Sequence, residues 1–121
     1  MRRCERGQAT LLACVLVLVI AFLGGLLVLA GTARAVGERA RGAADLAALA
    51  GARAQGENAD ACAAARSSAG LNGVEVTSCR VTGDEVEFVV SVEVRAALRL
   101  AGTEHWFPAR AHAGMVTGAP E

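Results

Sequence analysis

An uninterrupted apolar run near the N-terminus constrains this chain more than any other feature of the sequence. The run is LLACVLVLVIAFLGGLLVLA, from Leu11 to Ala30, and no residue between Gly7 and Ala33 carries a charge. About 20 apolar residues, at about 1.5 Å of helix each, span a hydrocarbon core of about 30 Å. Because the run has no polar face to turn towards water, we expect a transmembrane helix rather than the core helix of a soluble protein.

Three kinds of N-terminal processing would give this run another role. Ala33-Arg34-Ala35 is similar to the cleavage site of a secretory signal, but the apolar run is longer than the roughly 7–15 residues of such a signal. Leu11-Leu12-Ala13-Cys14 is similar to an acylation box, but the apolar stretch does not precede the cysteine. Prepilin cleavage would fall after Gly7, and prepilins carry glutamate at the fifth mature position, where this chain has Leu12. The sequence favours an uncleaved helix and leaves trimming at these sites open.

The distribution of arginines on the two sides of the span predicts the orientation of this helix only weakly. Arg2, Arg3 and Arg6 precede the span and four arginines follow it, so the counts that set orientation are nearly even. The N-terminal tail is short, whereas a long C-terminal part is translocated largely regardless of its charge. We therefore predict a cytoplasmic tail at residues 1–8, a transmembrane helix at 9–33 and an extracytoplasmic C-terminal part.

Small residues recur along the helix and beyond it. Gly24 and Gly31 are seven positions apart and lie nearly on one helix face, where small residues allow close packing in lipid. After the span, VGERARGAADLAALAGARA (Val36 to Ala54) is rich in helix-forming alanine and contains no proline. One helix can therefore continue from about Gln8 to Ala54.

An apolar stripe of alanine and leucine runs along this helical extension, residues 34–55. A stripe of alanine buries little area, so the helix depends on close packing against another surface for its stability. That surface is either the protein's own sheet or a helix of another subunit, and both can hold on different faces. The predicted helix-packing residues are Gly24, Gly31, Ala43, Asp45, Leu46, Ala47 and Ala50.

The remaining residues, 56–121, predict a small extracytoplasmic α+β module. Asp60 is placed to cap a short helix at residues 61–69. Strands are predicted at 74–81, 85–94 and 106–116, with Thr82-Gly83-Asp84 as the first hairpin turn. One helix should then pack on a three-stranded antiparallel sheet. The apolar face of the second strand would consist of Val86, Phe88, Val90, Val92 and Val94.

Cys62 and Cys79 lie in the predicted short helix and in the first strand. A module of this size commonly needs a covalent cross-link, and closing about 18 residues contributes about 3 kcal/mol on the chain-entropy model. The alternative is two buried, reduced thiols. A disulfide would indicate an oxidising compartment and therefore an outward-facing module. Cys4 in the tail and Cys14 in lipid cannot take part.

No motif for catalysis, cofactor binding or metal binding is found. His105 and His112 are the only histidines, and their spacing with the cysteines matches no zinc pattern. A Walker loop, a dinucleotide fingerprint and a nucleophile–base pair are also missing. Twelve arginines balance twelve acidic residues, so no field of one sign attracts nucleic acid. We expect no enzyme activity, no cofactor, no metal, no nucleic acid and no small-molecule substrate.

The segment Trp106-Phe107-Pro108 contains the only tryptophan of the chain. We expect this segment to lie in the core of the module. A membrane-interface anchor and a contact with a partner are the alternatives.

Two stretches resemble a known family. Glu5-Arg6-Gly7-Gln8 leads directly into the apolar run, and RGAADLAALAGA follows it from Arg41 to Ala52. Together they resemble the N-terminal region of TadE/TadG-like proteins of Flp (tight-adherence) pilus assembly. The whole chain is most similar to the actinobacterial helicase/secretion neighbourhood TadE-like proteins. These proteins also carry one cysteine in a short helix and one in the following strand.

The resemblance implies a non-enzymatic, membrane-anchored, pilin-like minor subunit or assembly factor of a Tad/Flp-type pilus or secretion apparatus. Its partners would be membrane lipid, other TadE-like or pilin-like subunits and a Tad-type secretion platform. Leu12 in place of glutamate departs from the processed members and leaves incorporation into a filament open. The alternative function is a single-pass binding module that holds an envelope ligand or regulates a neighbouring membrane protein.

Overall fold

A computed structural model of the chain describes the backbone of residues 2–117 and the side chains of residues 7–117. In this part of the chain the protein consists of two helices and one antiparallel sheet. The sheet has the strand order β1-β2-β3, and both pairings are antiparallel. This architecture confirms the predicted α+β class. The elements are α1 (Arg2–Gly56), α2 (Ala61–Leu71), β1 (Glu75–Gly83), β2 (Phe88–Leu100) and β3 (Thr103–Met115).

The chain divides into two compact units, residues 1–34 and residues 35–121. The first unit is the N-terminal part of α1, and its large apolar side chains from Leu11 to Leu29 are 46–74% exposed. The hydroxyl of Thr32 donates a hydrogen bond to the carbonyl oxygen of Val28 at 2.7 Å, so this polar group is satisfied within the helix. The side chains of Arg2, Arg3, Cys4 and Arg6 in the predicted tail lie outside the described residues.

The second unit packs two helical segments on one face of the sheet. Its core consists almost entirely of small side chains, which allow the helices and the sheet to approach closely. The C-terminal part of α1 covers the sheet together with α2, so the protein's own sheet is one surface on which the alanine stripe packs. The residues at the centre of this core are Ala40, Ala44, Ala47, Ala48, Ala65, Val90, Val92 and Val94.

Gly51 allows α1 to approach Val90 of β2 and Ala61 of α2 closely. A Cβ atom added at Gly51 would lie 2.9 Å from Cγ1 of Val90 and 3.1 Å from the carbonyl oxygen of Ala61. At Gly42, nine residues earlier on the same helix, an added Cβ would have no atom within 4 Å. Gly51 is therefore required by packing, whereas Gly42 is not.

The short helix α2 begins as predicted and ends slightly later. The side chain of Asp60 accepts a hydrogen bond from the backbone N–H of Ala63 at 3.0 Å, which confirms the predicted N-cap. The helix continues past residue 69 to Leu71. Its end is closed by Asn72, whose side-chain amide donates to the carbonyl oxygen of Ser68 at 2.8 Å.

The predicted start of the second strand at residue 85 is wrong. Oδ1 of Asp84 accepts the backbone N–H groups of Glu87 (2.7 Å) and Val86 (2.9 Å), and these bonds fold residues 84–87 into a loop before β2 begins at Phe88. Both donors stabilise the carboxylate and lower the pKa of Asp84. Val86 consequently lies in the loop, 62% exposed, instead of on the apolar face.

The strands β2 and β3 form a longer hairpin than predicted, and the turn that joins them is shorter. β2 continues to Leu100 and β3 begins at Thr103, with only Ala101 and Gly102 between them. Both turn residues have positive φ angles, 49° and 78°, as the favoured two-residue hairpin turns require. The sequence signal was missed because alanine rarely occupies the first of these positions.

The Gly51→Ala substitution should destabilise the second unit by about 1–3 kcal/mol, because the added methyl group overpacks Val90 and Ala61. Gly42→Ala is the matched control on the same helix, and it should be neutral or stabilise by up to about 1 kcal/mol. Thermal unfolding of the full chain in detergent, followed by circular dichroism, measures both. Equal effects of the two substitutions would contradict the packing described here.

Candidate functional site

The exposed apolar surface of α1 is the most extensive unpartnered surface in the described part of the chain. Among the described residues, α1 is the one helix long and apolar enough to cross a membrane, by length and composition. Its most apolar 18-residue window has a mean hydropathy of 3.1, and 0% of that window is buried. A core helix of a soluble protein would be mostly buried, so this surface fits a membrane anchor.

The predicted helix-packing residues separate into two groups. At Gly24 and Gly31 an added Cβ would meet no atom within 4 Å, so both positions are open to another helix. Ala43 and Ala47 are instead buried under the protein's own sheet. The stripe on the extension therefore covers the sheet with one face.

The remaining predicted positions lie on a second face of the extension. Leu46 is 49% exposed, Asp45 is exposed and Ala50 is half-buried. Leu46, Leu49, Ala50 and Arg53 line a shallow groove on this face. This second face leaves apolar side chains available for contact outside the unit.

A disulfide joins Cys62 in α2 to Cys79 in β1, with the Cα atoms 5.8 Å apart. The structure thus holds these two cysteines as a cross-link and not as two reduced thiols. Cys14 is a free, exposed cysteine of the apolar surface, and the side chain of Cys4 lies outside the described residues.

The sheet face that points away from the helices is lined by paired charges. Arg95 forms an ion pair with Glu75 at 3.0 Å, and Arg110 forms one with Glu93 at 3.1 Å. The guanidinium carbon of Arg95 lies 4.1 Å from the ring centroid of Trp106. Pairs this exposed contribute little stability, so the face is a solvated surface.

Trp106 does not lie in the core as expected. It is 43% exposed on the outer sheet face, because β3 turns Phe107, Ala109 and Ala111 towards the helices and the alternate residues outwards. Pro108, on the same outer face, is also exposed. The cation–π contact with Arg95 holds the indole ring at the surface.

Sequence analysis missed one polar pair. Ser91 and His112 are directly opposite in the register of β2 and β3, and Oγ of Ser91 lies 2.8 Å from Nδ1 of His112. In the described part of the chain no carboxylate is hydrogen-bonded to His112, and the pair lies on the open face of the sheet. The pair therefore lacks the third group and the enclosure that nucleophilic catalysis requires.

The described residues also lack a metal centre. The described residues contain no group of three or more histidine, cysteine, aspartate or glutamate side chains that could hold a metal ion.

An exposed apolar helix joined to a disulfide-linked α+β unit defines the class: a small protein with a candidate membrane anchor. Residues 7–54 match a family model described as "Putative Flp pilus-assembly TadE/G-like". This match confirms the predicted resemblance to the TadE/G-like family over these residues of α1. No curated protein and no solved structure matches the chain significantly.

The family match supports a pilus-related role. Proteins of the Tad pilus-assembly family are generally non-enzymatic. The family also implies interaction with pilus or pilin-like subunits and with the Tad machinery. The matched segment ends at residue 54, so it includes the apolar helix and the alanine-rich stripe but not the sheet.

Removal of the cross-link should destabilise the second unit. In the Cys62→Ser/Cys79→Ser variant the closed loop of about 17 residues is opened, which costs about 3 kcal/mol on the chain-entropy model. For a unit of this size the unfolding midpoint should fall by about 10–20 °C. Cys14→Ser is the control and should leave the midpoint unchanged. A double variant that unfolds at the wild-type temperature would show that the bond does not support the fold.

Proposed function

We propose that this protein is a non-enzymatic, pilin-like minor subunit or assembly factor of a Tad/Flp-type pilus or secretion apparatus. The observation that carries the proposal is the TadE/G-like match on a helix whose apolar surface is unburied. In this role residues 9–33 cross the cell membrane once. The extension at residues 34–55 and the module at 56–121 form the part that faces other subunits.

The module lies outside the cytoplasm in this proposal, with residues 1–8 inside. The Cys62–Cys79 disulfide supports that orientation, because disulfides persist in oxidising compartments and are rare in the cytosol. The nearly even distribution of arginines around the span does not oppose it.

Two parts of α1 would form the contact with other subunits. Within lipid, Gly24 and Gly31 leave the helix backbone open to close approach by a like helix. Outside lipid, Leu46 and Ala50 with their neighbour Asp45 present the face that the sheet does not cover. Ala43 and Ala47, on the covered face of the helix, pack in the core and hold α1 on the sheet.

Crosslinking in native membranes tests the contact through lipid. The chain has no lysine, so the crosslink is made by oxidising an introduced thiol, Leu49→Cys, in a Cys4→Ser/Cys14→Ser chain. We expect covalent dimers of the chain or an adduct with a pilin-like subunit. Gly31→Leu should reduce their yield several-fold, because a bulky side chain prevents close approach of the helices.

Gly25→Leu is the matched control for Gly31→Leu. Gly25 also has no atom within 4 Å of an added Cβ, but it lies about 100° around the helix from Gly24. This variant should crosslink like the parent chain, and both variants should stay in the membrane. Monomers alone in the parent and in both variants would refute the packing.

A further inference from the structure

Exposed and half-buried apolar side chains lie at one end of the second unit, together with the only tryptophan of the chain. The end is formed by the β2–β3 turn and by the last residue of α2. Trp106 is 43% exposed and Leu71 is 87% exposed, while Leu98 and Leu100 are half-buried beside the turn. Exposed apolar surface of this kind is unfavourable in water, and neither the core nor the predicted packing residues account for it.

This end is the one at which the chain enters from the apolar segment. The direction of α1 is fixed by its contacts with α2, which starts beside Gly51 and ends beside Arg39. Ala61, the first residue of α2, has its carbonyl oxygen 3.1 Å from a Cβ added at Gly51. Nη2 of Arg39 donates to the carbonyl oxygen of Asn72, just after α2, at 3.4 Å.

The strand β2 runs in the same direction as α2, towards Ala35. Val90 lies beside Gly51, and Arg95 pairs with Glu75, which follows the end of α2 closely. From Gly51 back to Ala35 the helix covers about 24 Å at about 1.5 Å per residue. From Val90 to Leu100 the strand covers about 33 Å at about 3.3 Å per residue. The β2–β3 turn therefore reaches the level of Ala35, where the apolar segment has just ended.

The composition of this end suits a membrane–water interface. Tryptophan is enriched at that interface because its ring is apolar and its N–H is polar. Arg95 lies over the Trp106 ring, and Arg99 follows on the same sheet face. Arginine side chains at such a position can reach lipid phosphates while their stems cover apolar groups.

The opposite end of the unit is acidic. It carries Glu57, Asp60, Asp84, Glu85 and Glu87, all exposed. Its exposed large apolar residues, Val86 in the loop and Met115 and Val116 at the end of β3, lie among these carboxylates. Carboxylates at this end disfavour an anionic lipid surface, whereas the end nearest Ala35 combines its apolar groups with tryptophan and arginine.

We propose that the β2–β3 turn is a second membrane contact, with Trp106 and Leu100 set into the phospholipid interface beside the point where α1 leaves the bilayer. Leu71 adds an apolar contact from α2. The occupant of this surface is the phospholipid bilayer itself. The inference rests on the proposed role of α1 as the membrane anchor.

Fluorescence of Trp106, the only tryptophan, tests this contact directly in the full chain. The chain is reconstituted into vesicles of phosphatidylcholine and phosphatidylglycerol, with either brominated or unlabelled acyl chains. We expect brominated lipid to quench Trp106 several-fold more strongly than it quenches a tryptophan at the acidic end. Aqueous iodide should quench Trp106 several-fold less.

The tryptophan at the acidic end is supplied by Val86→Trp in a Trp106→Phe chain. Both positions are exposed in the isolated protein, so a difference between them reports the membrane. Equal iodide quenching at the two positions, without quenching of Trp106 by brominated lipid, would overturn the inference. Protection of Trp106 from both quenchers would place it against protein and would overturn the inference as well.

Flotation of the same vesicles separates this inference from the proposed anchor. A chain that floats with the vesicles but shows no lipid quenching at Trp106 retains its anchor and lacks the second contact. A full-length chain that does not float with the vesicles lacks the anchor, and the proposed function then fails first.

Discussion

The need of one helix for a non-aqueous solvent is the constraint on which the rest of the protein depends. From Leu11 to Leu29 the large apolar side chains are exposed, and none of the described residues packs over them. A helix satisfies its own backbone hydrogen bonds, so it can enter hydrocarbon without polar partners. Within lipid the same side chains are fully solvated. The proposed orientation of the second unit, the proposed contacts of Gly24 and Gly31 and the proposed interfacial place of the β2–β3 turn all depend on that location.

The second unit uses the C-terminal part of the same helix to form its own core. Its core consists largely of alanine and valine, which release little free energy on burial because their side chains are small. Close approach compensates in part, as the contact of Gly51 with Val90 shows. The Cys62–Cys79 bond adds stability by restricting the unfolded chain. A unit built this way uses one face of α1 for its own stability and leaves Leu46 exposed on another face.

Sequence patterns predicted those parts of the structure that depend on local physics. The continuity of α1, the Asp60 cap and the alternation from Phe88 to Val94 follow from apolar content, side-chain hydrogen bonding and strand geometry. The loop at Asp84 was missed because its carboxylate captures two backbone N–H groups, which no apolar period records. The turn at Ala101 was missed because a positive φ angle at alanine has no sequence signature.

The candidate surfaces were harder to predict than the elements that carry them. Alanine and leucine alternate so densely on α1 that periodicity did not show which of Ala47 and Leu46 would face the sheet. The Ser91–His112 pair and the outward position of Trp106 depend on the β2–β3 register, which only the short turn sets. These features arise from tertiary structure, so they became visible only when the strands were placed side by side.

Fractionation of cells that express the full-length chain tests the central claim most directly. Membranes are washed with alkaline carbonate, which removes peripheral proteins, and the intact mass of the chain in each fraction is measured. The account predicts a chain that stays in the washed membranes, is released only by detergent and contains the Cys62–Cys79 bond. An uncleaved chain that is found in the aqueous fraction without detergent would contradict it.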